Sequence, residues 1–156
     1  MELWFPGVVR RLGPSRKVHG RRNRTTGVVY HSAVGNLDTT FGVLDGSGVT
    51  AFHMTNAKDG RMFQHYPLDV LVYHARGGNS WSIGVENEGG PLSNVSEPLT
   101  EAQVQNLADL SRWLVEQGWL ASITRTGPNK SLWEHREVPG SACESFCLES
   151  SQRDEE

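Results

Sequence analysis

The chain has 156 residues and a formal net charge of -3, with a sequence pI near 6.1. This length fits one domain that can bury a core, and the acidic balance argues against a protein built mainly to bind nucleic acid. No segment has the apolar centre of a signal peptide or the ~20 apolar residues that cross a bilayer, so we expect a chain made in the cytoplasm without membrane insertion.

The first 26 residues form a basic N-terminal segment of the same domain. Its cations are Arg10, Arg11, Arg16, Lys17, Arg21, Arg22 and Arg24. The simplest interpretation is a solvated surface, and the alternative is attraction to a polyanion such as a cell-wall polymer.

Five short segments between residues 27 and 86 have the apolar or alternating patterns of strands. They lie at 27–33, 49–55, 61–65, 70–74 and 80–86. Turn residues at 56–60 predict that the second and third form a hairpin. Leu37, Phe41 and Leu44 could form a short helix between the first two strands.

The most regular helical pattern covers residues 101–117. Thr100 and Gln103 have the spacing of a capping box, and Gly118 closes the helix. Several strands with one long late helix indicate an α/β or α+β domain with a helix-covered sheet, whose strand order the pattern leaves open. An acidic tail follows at 149–156.

The segment WSIGVENEG at 81–89 ends in two acids. Strand alternation places Ile83 and Val85 toward the core and Ser82, Glu86 and Glu88 on the other face. Alternation alone does not choose between the two carboxylates.

A late histidine and cysteine have types and spacing that suit a metal. His135 precedes Cys143 by eight positions across a Pro-Gly turn, and imidazole and thiolate are common zinc ligands. A catalytic zinc needs a third protein ligand, for which His31 is a candidate in competition with His53 and His74.

Five short motifs that occur in a fixed order are more informative about the family than any one of them alone. They are VVYHSA at 28–33, FHMTNAKDGRMFQH at 52–65, YHARGGN at 73–79, SIGVENEG at 82–89, and EHREV at 134–138 followed by Cys143. From about residue 27 to 146 the chain resembles the zinc-dependent N-acetylmuramoyl-L-alanine amidases, which include phage endolysins and peptidoglycan recognition proteins. The resemblance implies an α/β fold, in which a single amidase domain at 27–148 has a central mixed β-sheet covered by helices.

The resemblance also implies roles for individual residues. One catalytic Zn²⁺ would be held by His31, His135 and Cys143, and Glu86, directly after the Ser-Ile-Gly-Val stretch, would be the general base. His74 and Asn79 match positions that line the substrate groove, with turn shaping as the alternative for Asn79.

The sequence departs from the pattern of relatives in three places. Phe52 stands where some relatives have a catalytic tyrosine, and Ser141 stands where many have a lysine thought to stabilise an oxyanion. Ser141 could still donate a hydrogen bond to substrate, but it brings no positive charge. The usual Cys-Pro-Gly is Cys143-Glu144-Ser145, which should alter the local turn more than the ligation.

The resemblance implies a hydrolase that cleaves the amide bond between N-acetylmuramic acid and L-alanine of the peptidoglycan stem peptide. We expect a monomeric phage endolysin that reaches the cell wall through phage-mediated release and has no nucleic-acid partner. The alternatives are a non-catalytic peptidoglycan-binding module of the same fold and a purely structural zinc.

Overall fold

A mixed six-stranded sheet forms the centre of the computed structural model, which describes residues 2–91, 93–94 and 97–140. The strands are β1 (Val9–Arg10), β2 (Gly27–Ser32), β3 (Met54–Asn56), β4 (Met62–Gln64), β5 (Ser82–Asn87) and β6 (Leu132–Glu134). Their order across the sheet is β1-β4-β3-β5-β2-β6. The β3–β4 hairpin is antiparallel, as predicted, and the other four pairings are parallel.

Two α-helices lie within the described residues. Helix α1 (Leu37–Asp45) begins at Asn36, whose side chain accepts a hydrogen bond from the Thr39 amide. Helix α2 (Glu101–Glu116) begins with the predicted capping box, in which Thr100 and Gln103 each accept from the other's backbone amide. Gly118 follows α2 with φ +76°, a conformation that favours glycine. Short 3₁₀ helices cover Ser15–Lys17, Arg76–Gly78 and His135–Glu137.

The main core lies between α2 and one face of the sheet. Its buried members include Val28, Met54, Ile83, Val85, Leu107, Leu110 and Leu114. The inward direction of Ile83 and Val85 confirms the alternation predicted for β5. On the opposite face, Phe41 of α1 makes an edge contact with Phe63 of β4, with ring centroids 5.1 Å apart. The predicted fold class, a mixed sheet covered by helices, is therefore confirmed.

The predicted strand at 70–74 is wrong. Val70 and Tyr73 form only isolated bridges, with Arg21 and Thr50. Val70 and Val72 of this segment are instead buried as part of a loop, in a second cluster with Leu44, Ala51, Phe52 and Tyr66. Its backbone bonds to the N-terminal segment, since the Leu71 amide donates to the Gly20 carbonyl.

Other strand boundaries also differ from the prediction. Strand β3 begins at Met54 rather than at residue 49. Strands β1 and β6 were not predicted, because both are short outer strands, one exposed and one half-buried, without a clear alternation.

The interpretation of the basic segment as a solvated surface is wrong for two of its cations. Lys17 is 2% exposed, and its ammonium donates to the carbonyls of Val43, Leu44 and Thr50 at 3.1, 2.6 and 2.9 Å. Arg22 is also buried and donates to the Leu68 and Val70 carbonyls. These two cations hold the fold together and are not available to a polyanion.

No helix in the part of the chain that the structure describes is both long and apolar enough to span a membrane.

The position of Lys17 predicts a large effect on stability. Lys17→Met keeps most of the stem but leaves three carbonyls, two of them at the end of α1, without their charged donor. We expect the free energy of unfolding to fall by about 2 kcal/mol, measured by chemical denaturation. Arg24→Met, at an exposed position of the same basic run, is the control and should change stability by less than about 0.5 kcal/mol. Equal effects of the two variants would contradict the structural role of Lys17.

Candidate active site

The site lies at the C-terminal ends of parallel strands, on the sheet face opposite α2. His31 of β2 is the register partner of Glu86 of β5, and Glu86 is also the partner of Thr55 on β3. Partners in neighbouring strands point to the same face. The pairing of β2 with β5 therefore brings the predicted metal ligand beside the predicted general base.

His135 reaches the same place from the other side of β2. It is the first residue of the 3₁₀ helix that directly follows β6, and β6 pairs in parallel with β2. The Nδ1 atoms of His31 and His135 are 3.1 Å apart. Two zinc–nitrogen bonds of about 2.0–2.1 Å at a tetrahedral angle would place the nitrogens about 3.3 Å apart. The two imidazoles therefore fit a shared metal ion.

The third predicted ligand cannot be placed. Cys143 and the predicted substrate-binding Ser141 both lie outside the described residues. Among the residues that are described, no group of three or more His, Cys, Asp or Glu side chains could hold a metal ion. The zinc ligand set, and the role of Ser141, stay predictions.

The electrostatics of the two histidines favour their neutral forms. Burial, followed by the nearby His74 and His135, holds the pKa of His31 well below its ordinary value. Burial also lowers the pKa of His135. Both imidazoles are therefore neutral near pH 7, which is the form that binds a metal.

Glu86 has the opposite shift. Burial raises the pKa of its carboxyl group to about 8, and no described residue donates a hydrogen bond to it that would stabilise the ionised form. The side chain keeps partial solvent exposure, so the group can still meet water. A carboxyl group with a pKa near neutrality beside paired histidines can accept and return a proton.

Glu88 has a structural contact instead. It follows the end of β5, and its Oε2 accepts a hydrogen bond of 2.9 Å from the Lys58 amide in the β3–β4 turn. The two acids of the WSIGVENEG segment therefore differ in their surroundings, and of the two it is Glu86 that lies beside His31.

His74 and Asn79 are both engaged within the protein. His74 is buried, with Nδ1 3.1 Å from Nε2 of His31 and Nε2 3.3 Å from the Ser82 carbonyl. Asn79 accepts hydrogen bonds from the amides of His74 and Ala75 at 2.8 and 2.7 Å. The contacts of Asn79 fit the turn-shaping alternative, and substrate binding by either residue stays a prediction.

His53, the other competitor for a metal, has no free ring nitrogen. Its Nδ1 accepts from the Gly84 amide at 3.0 Å, so its Nε2 carries the hydrogen and donates to the Val70 carbonyl at 2.8 Å. Phe52, at the position of the relatives' tyrosine, is buried against His65 with ring centroids 5.7 Å apart.

Sequence reasoning gave no role to two residues of the Ser-Ile-Gly-Val stretch. Ser82 contacts His74, and a Cβ atom at Gly84 would lie 2.6 Å from the His74 ring. Strand alternation puts Ser82 and Gly84 on the same face as Glu86, and this pattern could have identified them as site residues.

The fold and the site together define an α/β domain with paired histidines and a partly exposed carboxyl group at the C-terminal ends of parallel strands in a mixed sheet. A sequence profile described as N-acetylmuramoyl-L-alanine amidase matches residues 20–145. The chain therefore belongs to the N-acetylmuramoyl-L-alanine amidase family. No curated protein matches the chain.

Several solved structures share this fold. The amidase LysC from Clostridium intestinale URNW is 21% identical, with 96% of this chain and 99% of that chain covered and a TM-score of 0.62. The endolysin amidase LysCS from the same organism is 21% identical, with 97% of each chain covered and a TM-score of 0.63. A Drosophila PGRP-LB mutant in complex with tracheal cytotoxin is 18% identical, with 92% and 91% covered and a TM-score of 0.60. At these identities the likeness shows the fold.

The raised pKa of Glu86 predicts how metal-free protein responds to pH. Between the ordinary pKa of 4.5 and the folded value of about 8, the unfolded chain is ionised while the folded protein keeps its proton. The folded protein therefore loses stability as pH rises through this window. The full shift would correspond to several kcal/mol, and because Glu86 is partly solvated we expect a loss of about 2 kcal/mol.

Glu86→Gln should remove this loss. With chelator present, we expect the variant to gain about 2 kcal/mol over the parent protein between pH 5 and pH 8.5, measured by chemical denaturation. Because both proteins contain the same histidines, the contribution of the histidines drops out when the two free energies of unfolding are subtracted. Parallel stability curves across this range would show that Glu86 has an ordinary pKa.

Proposed function

We propose that this chain is an active, zinc-dependent amidase that hydrolyses the bond between N-acetylmuramic acid and L-alanine of the stem peptide. The observation that carries the proposal is the placement of Glu86 in register with His31, whose ring nitrogen lies 3.1 Å from that of His135. A carboxyl group with a raised pKa beside two converging neutral imidazoles suits metal-assisted amide hydrolysis better than binding alone.

The residues divide the work in the following way. His31, His135 and Cys143 would hold Zn²⁺. A bound zinc ion would polarise the amide carbonyl and lower the pKa of water. Glu86 removes a proton from the attacking water and passes it to the departing L-alanine nitrogen. Burial raises the pKa of Glu86, which suits a group that must hold the proton between these two events.

We further propose that the protein is an endolysin that acts on the cell wall after phage-mediated release. The fold of the endolysin amidase LysCS supports this proposal. The expected substrate is muropeptide, and the protein would act as a monomer.

A second candidate is a peptidoglycan-binding module without turnover. It is favoured by Phe52, a buried ring without a hydroxyl group, at a position where some relatives have a catalytic tyrosine. The replacement of the relatives' lysine by Ser141 favours it too. A binding module, however, has no need of a carboxyl group with a raised pKa beside paired histidines.

Release of stem peptides from purified peptidoglycan tests the two candidates. We expect mass spectrometry to detect peptides with a free L-alanine amine, and a zinc chelator to abolish their release. Peptides that appear at the same rate with chelator would contradict a zinc-dependent reaction. Zinc-loaded protein that binds muropeptide but releases nothing would be the binding module.

Substitution of the two neighbouring acids tests the role of Glu86. Glu86→Gln should lower the rate of release by about 10²- to 10⁴-fold without loss of bound zinc. Glu88→Gln is the matched control and should keep the parent rate, because its carboxylate contacts the Lys58 amide in a turn. Full activity of Glu86→Gln would refute the assignment of the general base.

A further inference from the structure

A chain of hydrogen bonds leads from His31 away from His135 into the protein. Nε2 of His31 is 3.1 Å from Nδ1 of His74. Nε2 of His74 is 3.3 Å from both the carbonyl oxygen and the hydroxyl oxygen of Ser82. The Ser82 hydroxyl in turn donates to the Gly78 carbonyl at 2.6 Å. This array lies behind His31, on the side opposite the predicted metal position.

The hydrogens in this array can be placed in one consistent way. The Ser82 carbonyl can only accept, and the Ser82 hydroxyl has given its hydrogen to Gly78, so Nε2 of His74 must be the donor. A neutral imidazole carries one ring hydrogen, which leaves Nδ1 of His74 as an acceptor. Nε2 of His31 must therefore donate to it. Nδ1 of a neutral His31 then carries no hydrogen, and its lone pair is directed toward His135.

The surroundings hold the His74 ring in this position. A Cβ atom at Gly84 would lie 2.6 Å from both Cγ and Nδ1 of His74, so the ring occupies space that only glycine leaves. The Asn79 side chain accepts from the amides of His74 and Ala75, which fixes the backbone that carries the ring. Residues of two sequence motifs, YHARGGN at 73–79 and SIGVENEG at 82–89, thus fix the position of the His74 ring.

We propose that His74 is a positioning residue for the metal ligand His31, and that Ser82, Gly84 and Asn79 hold His74 for this task. His74 selects the tautomer of His31 in which Nδ1 is free to bind a metal, and it fixes the direction of that ring. Hydrogen bonds to the second nitrogen of a ligating histidine act in this way in metal sites generally. The inference rests on the proposed zinc site, and it gives His74 a task other than substrate binding.

The affinity of the full-length protein for zinc, measured in competition with a chromophoric chelator, tests the proposal without reference to turnover. His74→Leu removes the acceptor and should weaken zinc binding by about 10- to 100-fold. His74→Asn can offer its side-chain oxygen near the position of Nδ1, and should recover most of the affinity.

His65→Leu provides the matched control. His65 is buried even more deeply than His74, and it contacts the Thr55 hydroxyl and the Arg11 carbonyl instead of His31. This variant should lose unfolding stability but keep the zinc affinity of the parent protein. Gly84→Ala gives a second route to the same effect, because the added Cβ displaces the His74 ring, and it should weaken zinc binding even if His74→Leu does not fold.

The outcomes separate this proposal from the proposed function. Parent-like zinc affinity in folded His74→Leu or Gly84→Ala protein would overturn the positioning role while leaving the zinc site intact. A loss of muropeptide affinity in His74→Leu with unchanged zinc affinity would return His74 to substrate binding. Parent protein that binds no zinc would refute the metal site itself, and the positioning role with it.

Discussion

The parallel pairing of β2 with β5 is the constraint on which the site depends. The ladder runs from Gly27 opposite Ser82 to Ser32 opposite Asn87. Because both strands end at the same edge of the sheet, the residues near their ends meet there. A slip of one residue in β5 would turn Glu86 toward α2 and expose Ile83 and Val85. The burial of apolar side chains under α2 therefore determines which face of the sheet is left for chemistry.

The face opposite α2 contains polar groups whose burial is costly unless they are hydrogen-bonded. His53 bonds to the Gly84 amide and the Val70 carbonyl. Arg22 donates to the same Val70 carbonyl at 2.6 Å, and burial lowers the pKa of its guanidinium group to about 10. The basic N-terminal segment thus supports the loop and the histidines behind the site. The segment therefore contributes to the fold through Lys17 and Arg22, whose side chains are buried.

Features that depend on near neighbours could be predicted from the sequence. The capping box at Thr100 and Gln103, and the alternation of Ile83 with Val85, need only local spacing. The family resemblance then supplied the fold class and brought His31, His135 and Glu86 into one hypothesis. The structure places these three residues together.

Features that depend on distant contacts could not be predicted in this way. Lys17 and Arg22 looked like surface residues because long cations are seldom buried, and their carbonyl partners lie 26 to 48 residues away. The segment at 70–74 has the apolar pattern of a strand, but its backbone bonds to the N-terminal segment and to residues 50–51 instead of forming a strand of the sheet. Which nitrogen of His74 faces His31 depends on Ser82, and spacing carries no information about a tautomer.

The stretch from Ser82 to Glu86 shows how one strand meets two sets of requirements. Ile83 and Val85 fill the core under α2. On the other face, Ser82 accepts the His74 hydrogen, Gly84 leaves space for the His74 ring, and Glu86 stands beside His31. The two sets alternate, so a change on the site face leaves the core contacts in place. Substitutions in this strand can therefore affect the site without affecting the core, or the core without affecting the site. The small and polar positions are constrained by the His74 ring and His31, just as the apolar positions are constrained by the core.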